Sequence, residues 1–208
     1  TRVFEQSLVD MLHEFEMKGP TALGVGLDDG LDKLKDFEAR LQEARIKREE
    51  LTEAQKLFKL DIPPYTEMSE LSTGIDKLRK IFDLYVKFKE FEEEQSKELW
   101  TSLDTIKLTK GAEIIHKLIR KLPKELKQLP VYKAVEEVVV QFKEGIPLIS
   151  LLKNDAMKPR HWKKLGEVTG ITFDANSTTF TLKSIFEMKL YRFQDTIEDI
   201  VNEAVQEL

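Results

Sequence analysis

Leu34-Lys35-Asp36-Phe37-Glu38-Ala39-Arg40-Leu41-Gln42-Glu43-Ala44 decides the fold. Leu34, Phe37, Leu41 and Ala44 recur in steps of three and four. That is the spacing of one face of an α-helix, and the charged residues between them read as its solvated side. The pattern starts at Asp28, is broken by Arg48 and resumes at Leu51, a coiled-coil-like seam with a polar break. Ile62-Pro63-Pro64-Tyr65 stops it, because two prolines cannot continue a helix. A second seam follows at Leu71, Ile75, Leu78, Phe82 and Tyr85, and Leu99, Leu103 and Ile106 extend it past the acidic Glu92-Glu93-Glu94. Two long helices joined by a short Pro-containing loop predict an antiparallel hairpin over 27–110. At 1.5 Å per residue each arm is roughly 45 Å long.

Outward from the hairpin, residues 1–26 read as a leading helix and loop. Val3, Leu8, Leu12 and Phe15 line the helix, and Gly19-Pro20 ends it. Gly24-Val25-Gly26 is a connection and not a nucleotide loop: Asp29 stands where the dinucleotide fingerprint needs its third glycine, and no strand precedes it. Residues 111–208 read as a bundle of shorter helices. Ile114, Ile115, Leu118 and Ile119 make one, ended near Pro123. Val131, Val135, Val138, Val139 and Phe142 make another, closed by Gly145 and Pro147. Pro159 suits the first position of a helix whose apolar face is Trp162, Leu165 and Val168, with Gly170 as its stop and Arg160 and His161 at the edge. Ile171-Thr172-Phe173 and Thr179-Phe180-Thr181 form either a small β-ribbon around Asn176-Ser177 or a loop with a helix N-cap at Thr181. Asp195 and Glu198 read as a capping box for a last helix that buries Ile197, Val201, Ala204, Val205 and Leu208. The expected fold is all-α: a long antiparallel hairpin, then a helical bundle, with at most one small ribbon.

Composition agrees. Charged residues are 34% of the chain and apolar residues 41%, a charge share well above the usual quarter and suited to long amphipathic helices. A net charge of −5 argues against non-specific binding to nucleic acid. With no cysteine there is no disulfide framework and no thiolate metal site. No run approaches the ~20 apolar residues that span a bilayer, and no signal-peptide core opens the chain. Thr1 is no initiator and neither end has a clear stop, so the chain reads as cut from something longer.

One succession of motifs resembles a known family. Gly145-Ile146-Pro147-Leu148-Ile149 is followed by Met157-Lys158-Pro159-Arg160-His161-Trp162, then Thr169-Gly170-Ile171-Thr172-Phe173-Asp174, then Thr179-Phe180-Thr181-Leu182. This resembles the start of the linker of dynein heavy chains, and the Thr-Gly-x-x-Phe-Asp and Phe-Thr-Leu stretches look like axonemal (ciliary) members. Ala54-Gln55-Lys56-Leu57-Phe58, followed by Pro63 and Tyr65, resembles the Ala-Glu-x-Leu-Phe…Tyr-Pro segment of dynein tails. Gln55 replaces the usual Glu, and Thr66 stands where Pro often follows. Trp100 and Leu103 fall where the family places an apolar patch. The resemblance covers the chain from about Leu27 onward.

Chemistry is mostly missing from the sequence. It has no phosphate loop ending in Gly-Lys-Ser/Thr, no His-Glu-x-x-His and no Gly-x-Ser-x-Gly. His13, His116 and His161 are far apart, so His161 reads as a packing residue and not as a base or metal ligand. Lys117, Arg120, Lys121, Lys124 and Lys127 could meet phosphates or an acidic tubulin surface, but without interleaved aromatics they read as a solvated face. The expectation is a non-enzymatic piece of a microtubule motor without cofactor or metal, located in the axoneme. The resemblance implies that the linker swings as ATP turns over on a motor ring elsewhere in the heavy chain. The structural residues expected to carry force are Arg160, His161, Trp162 and Leu165, with the seam of Leu34, Phe37, Leu41, Leu71, Ile75, Leu78 and Phe82. Partners implied are the rest of the heavy chain and, through it, microtubules. Nucleic acid and membrane are not expected. The alternative is a docking arm for dynein light or intermediate chains or an axonemal scaffold.

Overall fold

The computed structural model describes residues 1–174 and 179–208. Among these, the regular structure is helical: α1 (Arg2–Lys18), α2 (Leu27–Leu57), α3 (Thr66–Ser96), α4 (Thr105–Arg120), α5 (Lys124–Lys127), α6 (Pro130–Leu152), α7 (Pro159–Thr169), α8 (Leu182–Glu187) and α9 (Gln194–Gln206), with 3-10 turns at Trp100–Ser102 and Leu190–Phe193. The fold is all-α. Of the two readings of 171–181, the ribbon is absent among the described residues, where a single antiparallel bridge pairs Leu99 with Thr181, and Thr181 is the N-cap of α8. The Asn176-Ser177 turn lies outside the described residues. Cα packing divides the chain into two compact units, Thr1–Asp83 with Leu122–Val135, and Leu84–Lys121 with Glu136–Leu208.

In the first unit α2 and the first part of α3 are antiparallel. Arg45 donates to Ser72 Oγ at 2.8 Å, Arg79 pairs with Glu38, and Gly30 lies against Phe82. Leu34, Phe37, Leu41 and Ala44 of α2 are buried, as are Leu71, Ile75, Leu78 and Phe82 of α3. Beyond Ala44 the seam of α2 thins: Leu51 is half-buried and Gln55 is the next fully buried residue. Helix α1 runs antiparallel to α2, with Glu14 bonded to Arg40 at 2.7 Å and Phe15 edge-on to Phe37 at 5.2 Å. Of the residues expected to line α1, Leu8 is buried, Leu12 and Phe15 are half-buried, and Val3 is exposed. The loop after α2 turns through left-handed backbone at Lys59 (φ 52°) and Tyr65 (φ 47°).

The second unit departs from the sequence reading at several helix ends. Helix α3 stops at Ser96 and is not extended by Leu99, Leu103 and Ile106. The chain instead turns through Trp100–Ser102, and Asp104 caps α4 by accepting the N–H groups of Ile106 (2.9 Å) and Lys107 (3.2 Å). A side-chain oxygen on these orphan donors starts a new helix at once. In α4 the buried face is Leu108, Ala112, Ile115 and Ile119, while Ile114 is exposed. Gly111 sits where a Cβ would come within 2.3 Å of the Phe91 ring, so the ring occupies the space a side chain would need.

Helix α6 passes through Gly145 and Pro147 and ends at Leu152. Pro147 lies on the exposed side, where water can take the carbonyl it leaves unbonded, and Ile146, Leu148, Ile149 and Leu152 keep the last turns packed. Helix α9 starts at Gln194, directly after a 3-10 turn, so Asp195 is a first-turn acid and no capping box with Glu198 forms. Its buried residues are Ile197, Ile200, Val201 and Ala204, while Val205 and Leu208 are exposed.

Candidate functional site

The Arg160-His161-Trp162 triplet sits in the first turn of α7, which Pro159 opens. Proline at this position has no N–H to leave orphaned and has φ already set. Gly170 closes the helix in left-handed backbone (φ 70°) and returns its N–H to the Gly166 carbonyl at 2.9 Å. Within this short helix the burial differs from the sequence reading. His161 and Leu165 are buried, Trp162 is half-buried and Val168 is exposed. The imidazole, placed at the edge by periodicity, is the inner residue, and the indole lies nearer the rim.

His161 works locally first. Its Nδ1 accepts the Lys158 backbone N–H at 3.0 Å. That is the reciprocal half of a capping box, with a ring nitrogen in place of the usual carboxylate. Bonded this way, the neutral ring carries its proton on Nε2. Nε2 lies 3.0 Å from Glu207 Oε2 at the end of α9. Arg160 pairs with the same carboxylate, and Lys164 pairs with Glu203 one turn earlier. Arg160, His161 and Lys164 thereby clasp α7 to the end of α9. The hydrogen bond from His161, reinforced by Arg160, holds the Glu207 carboxyl below the usual range.

Trp162 faces another way. It stands edge-on to Trp100 with centroids 5.8 Å apart, and Phe173 lies 5.5 Å from it. Trp100 in turn meets Phe180 at 5.7 Å. Offset and edge-on ring pairs in this range add to the area they bury. The backbone ties the same place together. Trp100 N–H donates to the Phe180 carbonyl at 2.9 Å and Leu182 N–H to the Glu98 carbonyl at 3.2 Å. Lys153, at the end of α6, donates to the Trp100 carbonyl at 2.7 Å and lies over its ring at 5.5 Å. Burial pushes the Lys153 ammonium pKa down.

Trp100, Lys153 and Phe180 were not singled out together by sequence reasoning. The signal for Trp100 was the Asp104 cap, which ends the hairpin and places the indole in a turn. The seam residues Leu34, Phe37, Leu41, Leu71, Ile75, Leu78 and Phe82 are all buried. Beside them lies the Arg79–Glu38 pair, which is two-pronged: Arg79 Nε donates to Glu38 Oε1 at 2.6 Å and a terminal nitrogen to Oε2.

No group of three or more His, Cys, Asp or Glu side chains among the described residues could hold a metal ion. No helix of the described residues is long and apolar enough to cross a membrane. Of the basic stretch, Lys117 and Arg120 lie on the exposed side at the end of α4, and Lys124 and Lys127 belong to α5.

Residues 68–208 match the protein-family profile described as "Dynein heavy chain, N-terminal region 2". Over 205 residues, 99% of this chain, the sequence is 38% identical to the Dynein-1-alpha heavy chain of the flagellar inner arm I1 complex of Chlamydomonas reinhardtii. It is 35% identical to human dynein axonemal heavy chain 10 and 28% identical to human dynein axonemal heavy chain 8, again over 99% of the chain. The chain spans only 4–5% of the length of these relatives. The profile covers the α7–α9 clasp and the aromatic cluster around Trp100, and the full-length matches reach back through the hairpin: this chain belongs to the dynein heavy chain family, as part of its N-terminal region.

Proposed function

We propose that this segment is a non-catalytic mechanical element at the tail–linker junction of an axonemal dynein heavy chain, carrying the ATP-driven linker swing towards the tail. The observation that carries this reading is the convergence on Trp100. The side chains of Lys153, Trp162 and Phe180 meet there, and backbone hydrogen bonds join Trp100 to Phe180 and Leu182 to Glu98. Densely packed interiors deform little under load, and such cross-linking suits a part that must not bend. Force generation then belongs to nucleotide sites elsewhere in the heavy chain, consistent with the missing Gly-Lys-Ser/Thr loop. Its place would be the axoneme of a cilium or flagellum, as the names of its relatives suggest. The alternative, a hairpin arm for light or intermediate chains, would gain from an unsatisfied seam, yet the seam side chains are buried within the first unit.

The test is Trp162→Ala in the intact motor, with gliding velocity and ATPase rate read on the same protein. The half-buried indole can be lost without unfolding its unit, so velocity should fall more than ATP turnover. A variant that loses both in equal measure, while melting like the unmodified protein, would show that the triplet serves the ring's chemistry or docking and not stiffness.

A further inference from the structure

Helix α4 turns one face to the interior of its unit and the other to water. Leu108, Ala112, Ile115 and Ile119 are buried. Opposite them, within about 100° of the helix circumference, stand Ile106, Lys107, Lys110, Ile114, Lys117 and, at the C-cap, Lys121. All six are exposed, the two isoleucines at 65% and 57%. The four lysines form no ion pair among the described residues. Other exposed lysines are matched along their own helices: Lys47, Lys89, Lys97 and Lys183 each meet a carboxylate three or four residues away. Glu113 is the only acidic residue of α4; it stands at the edge of this face and pairs with none of the four.

The helix itself gains little from this charge. Lys107 lies in the first turn, where the helix dipole disfavours a cation. Lys117 and Lys121 suit the dipole, but they are like charges four residues apart, which repel. Ile106 and Ile114 are eight residues apart in sequence, about 12 Å along the axis. Lys107 and Lys110 lie between them, and Lys117 and Lys121 lie beyond the second. Apolar points set among unmatched cations are complementary to a helix with apolar residues set among carboxylates. Single-stranded nucleic acid would stack on aromatic side chains, and the exposed side of α4 has none. A membrane surface would take a broad apolar face, and that face of α4 is already packed inside the unit.

We infer that this face of α4 docks an acidic amphipathic helix of a second protein. Two apolar side chains of that helix, about 12 Å apart, cover Ile106 and Ile114. Its carboxylates pair with Lys107, Lys110, Lys117 and Lys121. The charges select the partner and set its register, and the isoleucines hold it.

The experiment uses the full-length heavy chain with its native subunits. The probe is a labelled synthetic helical peptide with two leucines at the spacing of Ile106 and Ile114 and glutamates around them, followed by fluorescence anisotropy. Binding should weaken by about ten-fold in the double variant Lys110→Glu with Lys117→Glu. It should also weaken in Ile114→Ala, which leaves the charge unchanged. A peptide with lysines in place of the glutamates should bind the double variant and so show that the variant is folded. In intact axonemes, a carbodiimide, which joins an ammonium directly to a touching carboxylate, should couple Lys110 or Lys117 to an acidic helix of another protein. Equal binding of a scrambled peptide, or undiminished binding to the double variant, would overturn the inference. So would tighter binding of single-stranded RNA or phosphatidylserine vesicles than of the peptide at the same lysines, or carbodiimide products confined to heavy chains. The velocity measurement on Trp162→Ala is independent of all these outcomes.

Discussion

In the first unit, α2 and α3 meet along a seam of aliphatic and aromatic residues at helical spacing, flanked by the Arg45–Ser72 and Arg79–Glu38 pairs. In the second, segments remote in sequence converge on Trp100, and the contacts follow no period. Both join helices, but they distribute the work differently. Along the seam the contacts are spread over many side chains, each buried by its own neighbours. Around Trp100 one indole meets Trp162, Phe180 and Lys153, so its removal breaks several contacts at once. Periodic packing spreads its contacts and convergent packing concentrates them.

The largest expected effect tests this contrast directly. Trp100→Ala should destabilise the protein by about 3–5 kcal/mol, as for other buried large aromatics. Leu41→Ala, also buried but on the seam, should lie nearer the lower part of the range for such truncations, about 2–3 kcal/mol. Denaturant unfolding of both variants measures the difference. A seam variant costing more than the Trp100 variant would reverse the comparison. Next comes the two-pronged Arg79–Glu38 pair. It is partly exposed, so a double-mutant cycle with Arg79→Ala and Glu38→Ala should give a coupling of about 1 kcal/mol or less. A larger value would mean that the hairpin depends on its polar flank and not on its apolar seam.

The smallest effect concerns acid. The Glu207 carboxyl is held below its ordinary 4.5 by the hydrogen bond from His161 first, with Arg160 adding to it. The unfolded chain therefore takes up this proton before the folded one does. The stabilisation from ionised Glu207 is whole above 4.5 and is lost as pH falls through the lower native value. Glu207→Gln should flatten that part of an acid-unfolding curve followed by tryptophan fluorescence. An unchanged slope below pH 4.5 would mean that the clasp between α7 and α9 adds nothing measurable.

What was legible in the sequence follows the same division. The hairpin could be read because its seam repeats, and Ile62-Pro63-Pro64-Tyr65 marks its turn. The family resemblance rested on short motifs such as Arg160-His161-Trp162, which need no structural inference. The burial order within that triplet could not be read. Periodicity grouped Trp162 with Leu165 and Val168, but the neighbours that decide burial come from α9 and from 98–103, which no local pattern reveals. The end of α3 was missed because Leu99, Leu103 and Ile106 keep helical spacing, while the Asp104 cap interrupts the helix. Helix α6 erred in the opposite direction. Gly145 and Pro147 are stop signals by propensity, and packing of Ile146, Leu148 and Ile149 overrides them.

Lys59 and Tyr65 bound the hairpin loop with the same left-handed torsion, and neither is glycine. For sequence drift, or for a mutant library, the two ends are not equivalent. At Lys59 the side chain is exposed, so selection acts on backbone comfort alone, and Asn or Gly relieves a steric cost of about 1 kcal/mol. At Tyr65 the ring is buried against Phe4, and glycine would relax the backbone only by emptying that space. One torsion is thus free to change hands over time while its twin is fixed to a single side chain, so variation across this loop should be lopsided, broad at 59 and narrow at 65.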